Sequence, residues 1–435
     1  MTKNDIFLSH HVKDFLPAGD GAYTAIMPQV SKGFIHHYST KLEEAGFRKY
    51  TENEFSGSGE EKRNLFATYL SEDMQVDLGY HENMGRLYAT YTPRDSQWTL
   101  PPATAPAYET LGDAFPTTLT QLGCERLYPT EAAMCYIFRT ADGGFVIVDS
   151  AMGTDVEDYI YRTLKNQAPD PSHIRIHAWI LTHPHGDHVF GFLAFSKKYA
   201  ADPTLTLGQL VCNFADDTLM TPGNAALQRE VLAAARSFGK GVTLCKPHAG
   251  NLLYYADLTF RVLYTQEEYL ATRPAVIDPN ASSLVLRVTT ADGQSVLIGA
   301  DHPVYGSYNG ALFCEGALHR WYGDAIRSDV VTVFHHGYGG GADMKIYPTI
   351  HPRFVLWPAT VARFYHDDKG NPYVGTPIPD VPYNRYFTDP EEAKKNGVEG
   401  WYPSGDTVTI LTFAKGDIHA IQYASEEEYL TKTKR

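Results

Sequence analysis

Short apolar runs alternate with longer amphipathic stretches over residues 115–425. The short runs predict buried strands, and apolar positions that recur every three or four residues predict helices that cover them. Interleaving of this kind favours a layered α/β fold. The predicted strands include 135–138, 145–148, 179–181, 283–288, 295–298 and 330–334, and the predicted helices include 154–166, 188–200 and 224–238.

The first hundred residues follow a different pattern. Val30, Phe34, Tyr38 and Leu42 recur at helical spacing, and alternating apolar positions follow between residues 65 and 91. This pattern predicts a small α+β domain with one helix and about three strands, near the mouth of a pocket or at a homodimer contact. The predicted division of the chain is a polar leader (1–22), this domain (23–100), a proline-containing linker (101–114), the main domain (115–425) and a solvated tail (426–435).

Composition narrows the classes of partner. Hydrophobic residues make up 43% of the 435 positions, which suits a full core. The net charge of −14 disfavours a long nucleic acid, because phosphate backbones are bound by clusters of Lys and Arg. The five cysteines show no paired spacing, and no secretory leader or membrane span is evident. We therefore expect a cytoplasmic protein that acts on a small molecule.

Three histidines and an aspartate follow the predicted strand 179–181. They form the motif His183-x-His185-x-Asp187-His188 at the start of the predicted helix 188–200. A turn between a strand and a helix brings such side chains together, and imidazole with carboxylate is a typical ligand set for zinc in open, catalytic sites. The motif predicts a metal centre in preference to a polar surface turn, with His183 and His185 facing one ion and Asp187 and His188 a second.

This motif resembles the signature of the metallo-β-lactamase superfamily. Residues 145–150 resemble the strand of that family whose final aspartate, here Asp149, supports the histidine loop. Residues 295–301 resemble the strand that ends in a carboxylate bridging two metals, here Asp301. The resemblance implies the four-layer αββα fold of that superfamily.

The segment His335-His336-Gly337 resembles the part of the family pattern that supplies the last histidine ligand. The position of the glycine favours His336 over its neighbour as the ligand. His335 is then expected to line the pocket, where it touches the substrate or the leaving group. The phase of the strand leaves both assignments open.

The chain departs from the family pattern at one ligand. A further histidine is usual between the first motif and the bridging aspartate, whereas this chain has Asn280 in the stretch Asn280-Ala281-Ser282-Ser283-Leu284. That stretch resembles the branch containing the hydrolase domain of competence DNA-uptake proteins and the phosphorylcholine esterases. The first metal would keep His183, His185 and Asp301, unless His248 reaches it.

The resemblance implies hydrolysis by a metal-activated hydroxide, which Asp187 would orient. We expect one or two divalent ions, with zinc favoured and manganese or iron as alternatives. The branch implies a small phosphodiester or related ester as substrate. The alternatives are a lactone, thioester or amide opened at the same site, an iron-dependent oxidoreductase, and a metal-binding module without catalysis.

Overall fold

The computed structural model describes most of the chain, and the predicted leader lies mainly outside the described residues. These residues are 15–56, 64–123, 133–270, 276–302, 307–308, 311–312, 315–338, 344–366, 371–372, 376–405 and 407–433. The helices are α1 (Lys32–Glu44), α2 (Val156–Gln167), α3 (Gly186–Tyr199), α4 (Pro222–Arg236), α5 (Gln266–Leu270), α6 (Glu315–Tyr322), α7 (Ile346–Ile350), α8 (Val361–Tyr365), α9 (Arg385–Thr388), α10 (Pro390–Lys395) and α11 (Glu426–Lys432).

The strands fall into three sheets and one short pair. They are β1 (Phe15–Gly19), β2 (Ala22–Pro28), β3 (Arg48–Phe55), β4 (Asn64–Leu70), β5 (Met74–His81), β6 (Arg86–Pro93), β7 (Thr117–Gln121), β8 (Cys135–Arg139), β9 (Phe145–Asp149), β10 (Ile174–Ile180), β11 (Leu205–Val211), β12 (Thr243–Cys245), β13 (Leu252–Tyr255), β14 (Leu258–Tyr264), β15 (Val285–Thr290), β16 (Ser295–Ile298), β17 (Ser307–Tyr308), β18 (Ala311–Leu312), β19 (Val330–Thr332), β20 (Phe354–Trp357), β21 (Gly400–Pro403), β22 (Val408–Ala414) and β23 (Asp417–Tyr423).

Two mixed sheets form the centre of the main part of the chain. One has the strand order β12-β11-β10-β9-β8-β7-β22-β23, and the other has the order β13-β14-β15-β16-β19-β20-β21. Side chains from both sheets, such as Phe138 on β8 and Phe260 on β14, meet in one fully buried layer, where these two rings lie 5.5 Å apart. Strand β9 is buried along its whole length and is therefore an almost continuous apolar run, whereas its neighbours β10 and β11 also carry exposed positions.

Helices cover the outer face of each sheet. The amphipathic helices α2, α3 and α4 pack on the first sheet, where Ile160, Phe192 and Val231 belong to the same buried cluster. On the second sheet, α6, α7 and α9 supply residues such as Trp321 and Tyr347. The layers therefore run helix, sheet, sheet, helix, as predicted.

The amino-terminal sheet is larger than predicted. Its order is β1-β2-β6-β5-β4-β3, and α1 packs on one face through Ile35, Tyr38 and Leu42. The prediction of about three strands was wrong because three more strands join the sheet. Before the helix, β1 pairs with β2 and β2 with β6; after the helix, β3 pairs with β4. Strand β1 also begins inside the predicted leader. The predicted domain boundaries stay a prediction.

The predicted solvated tail is instead a packed helix over most of its length. Helix α11 begins at Glu426, which is buried and pairs with Arg162 at 2.7 Å. Tyr429, on the next turn, is fully buried. The run Glu426-Glu427-Glu428 led to the prediction of a solvated tail. However, acidic residues also stabilise the first turn of a helix, where they face unpaired backbone N–H groups.

A buried polar network joins the amino-terminal sheet to the main part of the chain. His248 lies between two carboxylates, with its Nδ1 at 2.9 Å from Glu267 and its Nε2 at 3.7 Å from Asp77 on β5. Asn213 also donates to Glu267, at 3.1 Å. Opposite charges offset the desolvation of each partner, so removing one leaves the others unpaired in the interior.

No helix within the described ranges is both long and apolar enough to cross a bilayer.

Removing the charge of Glu267 is expected to destabilise the protein in a pH-dependent way. The charged and hydrogen-bonding neighbours of Glu267, above all His248, outweigh burial and lower its pKa to about 2, whereas Asp77 and Glu267 outweigh burial and raise the pKa of His248. The Glu267 contribution is therefore present above its unfolded pKa near 4.5 and is lost as the pH falls towards 2. The His248 contribution is fully present below its unfolded pKa of about 6.5 and is lost as the pH rises through its raised folded pKa.

Glu267→Gln is therefore expected to cost about 3–5 kcal/mol of unfolding free energy at pH 6 and progressively less below pH ~4. Calorimetric unfolding at both pH values measures the difference. Glu427→Gln, on the exposed side of α11, is the matched control and should change little. An equal cost at both pH values would show that the Glu267 charge contributes nothing.

Candidate metal centre

The histidine motif lies where β10 ends and α3 begins. Asp149, the last residue of β9, is fully buried and fixes this turn. Its two carboxylate oxygens accept hydrogen bonds from the backbone N–H and the hydroxyl of Thr182, both at 2.8 Å. Asp149 also lies 2.8 Å from Nδ1 of His188. This contact leaves Nε2 of His188 free to point away from the strand into the site.

Four side chains converge in the first of two groups, formed by Asp187, His188, Asp301 and His336. Nε2 of His336 lies 3.2 Å from Asp187 and 3.2 Å from Oδ1 of Asp301. Nε2 of His188 lies 3.3 Å from the same Oδ1. Each residue offers one ligand atom, and all four atoms lie within 4.8 Å of one another. We call this set the four-residue group.

His183, His185 and Asp301 form the second, three-residue group. Nε2 of His183 lies 3.2 Å from Nδ1 of His185 and 3.7 Å from Oδ2 of Asp301. Asp301 therefore turns one oxygen towards each group. A carboxylate placed in this way can bridge two cations held about 3.5–4 Å apart.

The His335-His336 segment is a tight turn and not the end of a straight strand. Strand β19 stops at Thr332, and His335 and His336 both adopt left-handed backbone angles, with φ of 44° and 53°. His336 Nδ1 donates to the Pro358 carbonyl at 2.6 Å, which directs Nε2 into the four-residue group. His335 belongs to neither group, but its Nε2 lies 4.0 Å from Oδ2 of Asp301.

The two sheets hold the two halves of the site. Asp149 and the histidine motif extend from strands of the first sheet, whereas Asp301 and His336 follow β16 and β19 of the second. Asn280 lies in the loop before β15, and its amide nitrogen is 3.2 Å from Nε2 of His335. This contact places Asn280 beside His335, whose Nε2 in turn lies 4.0 Å from Oδ2 of Asp301.

Burial and the two carboxylates set the protonation of the site. Burial lowers the pKa of His336, but Asp301 and Asp187 outweigh it and raise that pKa to about 10. The same balance raises the pKa of His188 well above its ordinary value. In return, the imidazoles of His336 and His188 outweigh burial and hold the pKa of Asp301 well below its usual range. The negative charge of the two carboxylates thus stabilises positive charge within the site.

The fit to a metal rests on the atoms that remain without hydrogen bonds. Nε2 of His188, Nε2 of His336 and Oδ1 of Asp301 are buried and find no hydrogen-bond partner among the residues that the structure describes. Leaving three such atoms unsatisfied is costly, and they face one another within one group. Two imidazoles and two carboxylates are a donor set that zinc, manganese and iron accept. The residues present therefore fit a divalent metal.

His248, the alternative ligand, lies in neither group. Both of its ring nitrogens face carboxylates of the buried network, Glu267 and Asp77. The sequence offered no way to place it, because a histidine before a strand is compatible with either environment.

The sequence analysis did not predict two residues, Tyr338 and Arg363, that lie near the site. The Tyr338 ring lies 5.8 Å from the His335 ring, and the Arg363 guanidinium lies over the Tyr338 ring at 4.9 Å from its centroid. Tyr338 directly follows the His-His-Gly segment, which was a usable signal. Nothing in the sequence pointed to Arg363, because α8 is brought close to the His335-His336 turn only by the folding of the chain.

Comparison with known proteins agrees with this geometry. Residues 129–205, which contain Asp149 and the whole histidine motif, match the family model of the metallo-beta-lactamase superfamily. The fold is the metallo-β-lactamase fold. The predicted fold class, α/β with an added amino-terminal unit, is thus confirmed. Members of this superfamily are generally metal-dependent hydrolases. No curated protein sequence matches the chain.

Several solved structures are similar to this chain at low identity. The metallo-beta-lactamase fold protein YhfI from Bacillus subtilis is 15% identical, covers 67% of this chain and 99% of its own, and gives a TM-score of 0.37. The metallo-beta-lactamase GOB-18 from Elizabethkingia meningoseptica is 18% identical, with coverages of 48% and 69% and a TM-score of 0.26. A long form RNase Z from yeast is 9% identical, with coverages of 75% and 54% and a TM-score of 0.32. None of them assigns an activity to this chain.

Asp149→Asn is expected to weaken metal binding about 10–100-fold, because the ring of His188 loses its charged partner and its fixed tautomer. Competition with a chromogenic chelator measures the affinity. Asp142→Asn is the matched control, since Asp142 lies in the turn at the other end of β9 and contacts His177. An unchanged metal affinity in Asp149→Asn would show that this aspartate does not support the metal centre.

The two groups are expected to differ in affinity, because the three-residue group has one imidazole fewer than the family pattern. Mild chelation should remove the ion at His183 and His185 first. Asn280→His is expected to slow that loss about tenfold or more, since it restores an imidazole beside the group. Asn224→His, on the helix α4, is the control. Simultaneous loss of both ions, unchanged by Asn280→His, would place the missing ligand elsewhere.

Proposed function

We propose that the protein is a metal-dependent hydrolase of a small phosphodiester. The observation that carries this proposal is the position of Asp301, whose two oxygens each face one of two groups of potential metal ligands. A site of that design suits displacement at phosphorus, where charge develops on both the attacking and the leaving oxygen. When bound, divalent metal lowers the pKa of coordinated water and offsets the negative charge that develops on the substrate.

The residues of this chain supply the orientation and one proton transfer. Asp187 is only partly buried, with 24% of its side chain exposed, so its carboxylate is partly accessible to solvent. It would accept a proton from the attacking water and hold that water in line. His335 has 20% of its side chain exposed and faces the edge of the three-residue group. It would contact the leaving oxygen, which would take up a proton from water.

Buried contacts hold the turn that contains His335, His336 and Gly337 in position. Trp357 Nε1 donates to the carbonyl of His336 at 2.7 Å, and Tyr383 donates to the carbonyl of Gly337 at 2.6 Å. Gly337 has a φ of +85°, and an added Cβ would come within 2.5 Å of the Trp357 ring. The turn is therefore fixed on both sides, and a preorganised site loses little free energy to reorganisation.

The preference for a phosphodiester comes from the Asn280-Ala281-Ser282-Ser283 stretch together with His335-His336-Gly337. Both resemble the branch of competence hydrolase domains and phosphorylcholine esterases. The net charge of −14 favours a small substrate over a polymer. Lactones, thioesters and amides are opened by the same chemistry, so they are the alternative substrates.

A panel of substrates tests the proposal. We expect zinc- or manganese-loaded protein to hydrolyse bis(4-nitrophenyl) phosphate, to lose this activity with a chelator and to regain it with added metal. Turnover of a lactone or thioester alone would favour the carbonyl alternative. Metal analysis and visible absorbance that show redox-active iron, without hydrolysis of any substrate, would favour the oxidoreductase.

Asp187→Asn is expected to lower kcat by about 10²–10⁴-fold, because the amide cannot accept the proton of the attacking water. Steady-state kinetics at saturating metal separates this effect from weaker metal binding. Asp155→Asn, a change of the same chemistry at an exposed position, should retain activity. An Asp187→Asn variant with full activity would assign the base to another group.

A further inference from the structure

The rim of the candidate metal centre carries a tyrosine–arginine pair that the proposed mechanism does not use. The Tyr338 ring lies 5.8 Å from the His335 ring and 6.3 Å from the His336 ring, measured between centroids. The Arg363 guanidinium lies 4.9 Å from the centroid of the same tyrosine. Its Nε donates a hydrogen bond to the Tyr338 hydroxyl. The pair therefore connects the histidine turn to α8.

Backbone contacts preset the position of both residues. The N–H of Tyr338 donates to the carbonyl of His335 at 2.7 Å, which closes the turn. The N–H of Arg363 donates to the hydroxyl of Thr360 at 3.1 Å, at the beginning of α8. Both side chains thus project from fixed turns, so little conformational entropy remains to be lost when a ligand binds.

Arg363 differs in its partners from the arginines that are paired with carboxylates at the surface. Arg162, Arg175, Arg353 and Arg385 each form an ion pair with a carboxylate. Over the described ranges, no carboxylate forms an ion pair with Arg363, whose Nη1 has a long contact of 3.4 Å with the carbonyl of His366. A planar guanidinium without a counter-ion is suited to bind a phosphate or carboxylate through two parallel hydrogen bonds.

Arg363 is half-buried on α8, so part of its side chain is accessible. An anion beside it would be partly shielded from water, where charge-assisted hydrogen bonds are stronger.

We propose that Arg363, held by Tyr338, binds an anionic group of the substrate at the rim of the metal centre. This inference rests on the proposed hydrolase function and narrows its substrates to esters that are anions, such as phosphodiesters, over neutral esters. A purely structural cation–π pair is the competing role. It would affect stability without discriminating between charged and neutral ligands.

Equilibrium binding distinguishes these roles. The zinc-loaded full chain is titrated by calorimetry with diethyl phosphate, an anion, and with triethyl phosphate, its neutral counterpart. Arg363→Ala is expected to weaken binding of diethyl phosphate about tenfold or more, and to change that of triethyl phosphate by less than about twofold. Tyr338→Phe should give a smaller loss in the same direction, and Arg363→Lys should restore part of the affinity.

Arg385→Ala is the matched control, because it removes the same charge from α9, where Arg385 pairs with Asp389 at 3.0 Å. If Arg363→Ala fails to fold, Arg363→Gln replaces it, since this variant removes the charge but keeps a donor. Equal losses for both ligands, no loss for either, or no binding of diethyl phosphate to the wild type would overturn the inference.

The rate of phosphodiester hydrolysis separates the two proposals. A wild-type protein that binds diethyl phosphate through Arg363 but hydrolyses no phosphodiester contradicts the proposed function and keeps the anion site. A wild type that hydrolyses phosphodiesters while Arg363→Ala keeps full affinity for diethyl phosphate contradicts the anion site alone.

Discussion

The site depends on one buried carboxylate shared between two sets of imidazoles. Asp301 is 3% exposed, and its two oxygens face His336 and His188 on one side and His183 on the other. Like-charged carboxylates and imidazole nitrogens without hydrogen bonds do not stay together in an interior unless positive charge joins them. Protons supply part of that charge when the imidazoles are protonated. Divalent cations held by these side chains would supply it as well, through the buried atoms that have no hydrogen bond among the described residues.

This requirement explains why the site lies where the two sheets meet. Neither sheet alone presents enough ligands, since the histidine motif follows β10 and Asp301 and His336 follow β16 and β19. The inter-sheet core, with residues such as Phe138 and Phe260, fixes the separation of the two halves. Asp149 then sets the ring of His188, and the Pro358 carbonyl sets that of His336. The strand ends thus determine the positions of the ligands.

The sequence predicted the parts of the structure that depend on local patterns. The apolar runs indicated some of the strands of both central sheets, among them β9 and β16, because strands that are buried along their whole length are mostly apolar. The residues of both candidate groups were all named from four motifs in order, and the structure brings them together. The sequence could not show which of His335 and His336 points into the site. Their side-chain directions depend on a left-handed turn that tertiary packing imposes. Strands β1 and β2 were missed for a related reason: the contact that joins them to the sheet, between β2 and β6, is long-range. Strand β3 was missed because most of its residues are polar and none is fully buried. Arg363 is near the site only because β20 and α8 follow one another at the same edge.

The central claim is that both groups around Asp301 hold divalent metal ions. Crystals grown with zinc, measured at energies on both sides of the zinc absorption edge, test it directly through the anomalous difference map. We expect two peaks about 3.5–4 Å apart, one on each oxygen of Asp301. The peak beside His188 and His336 should be the stronger, because that group has the fuller set of ligands. A map without a peak at Asp301, or with these side chains turned away from one another, would contradict the account.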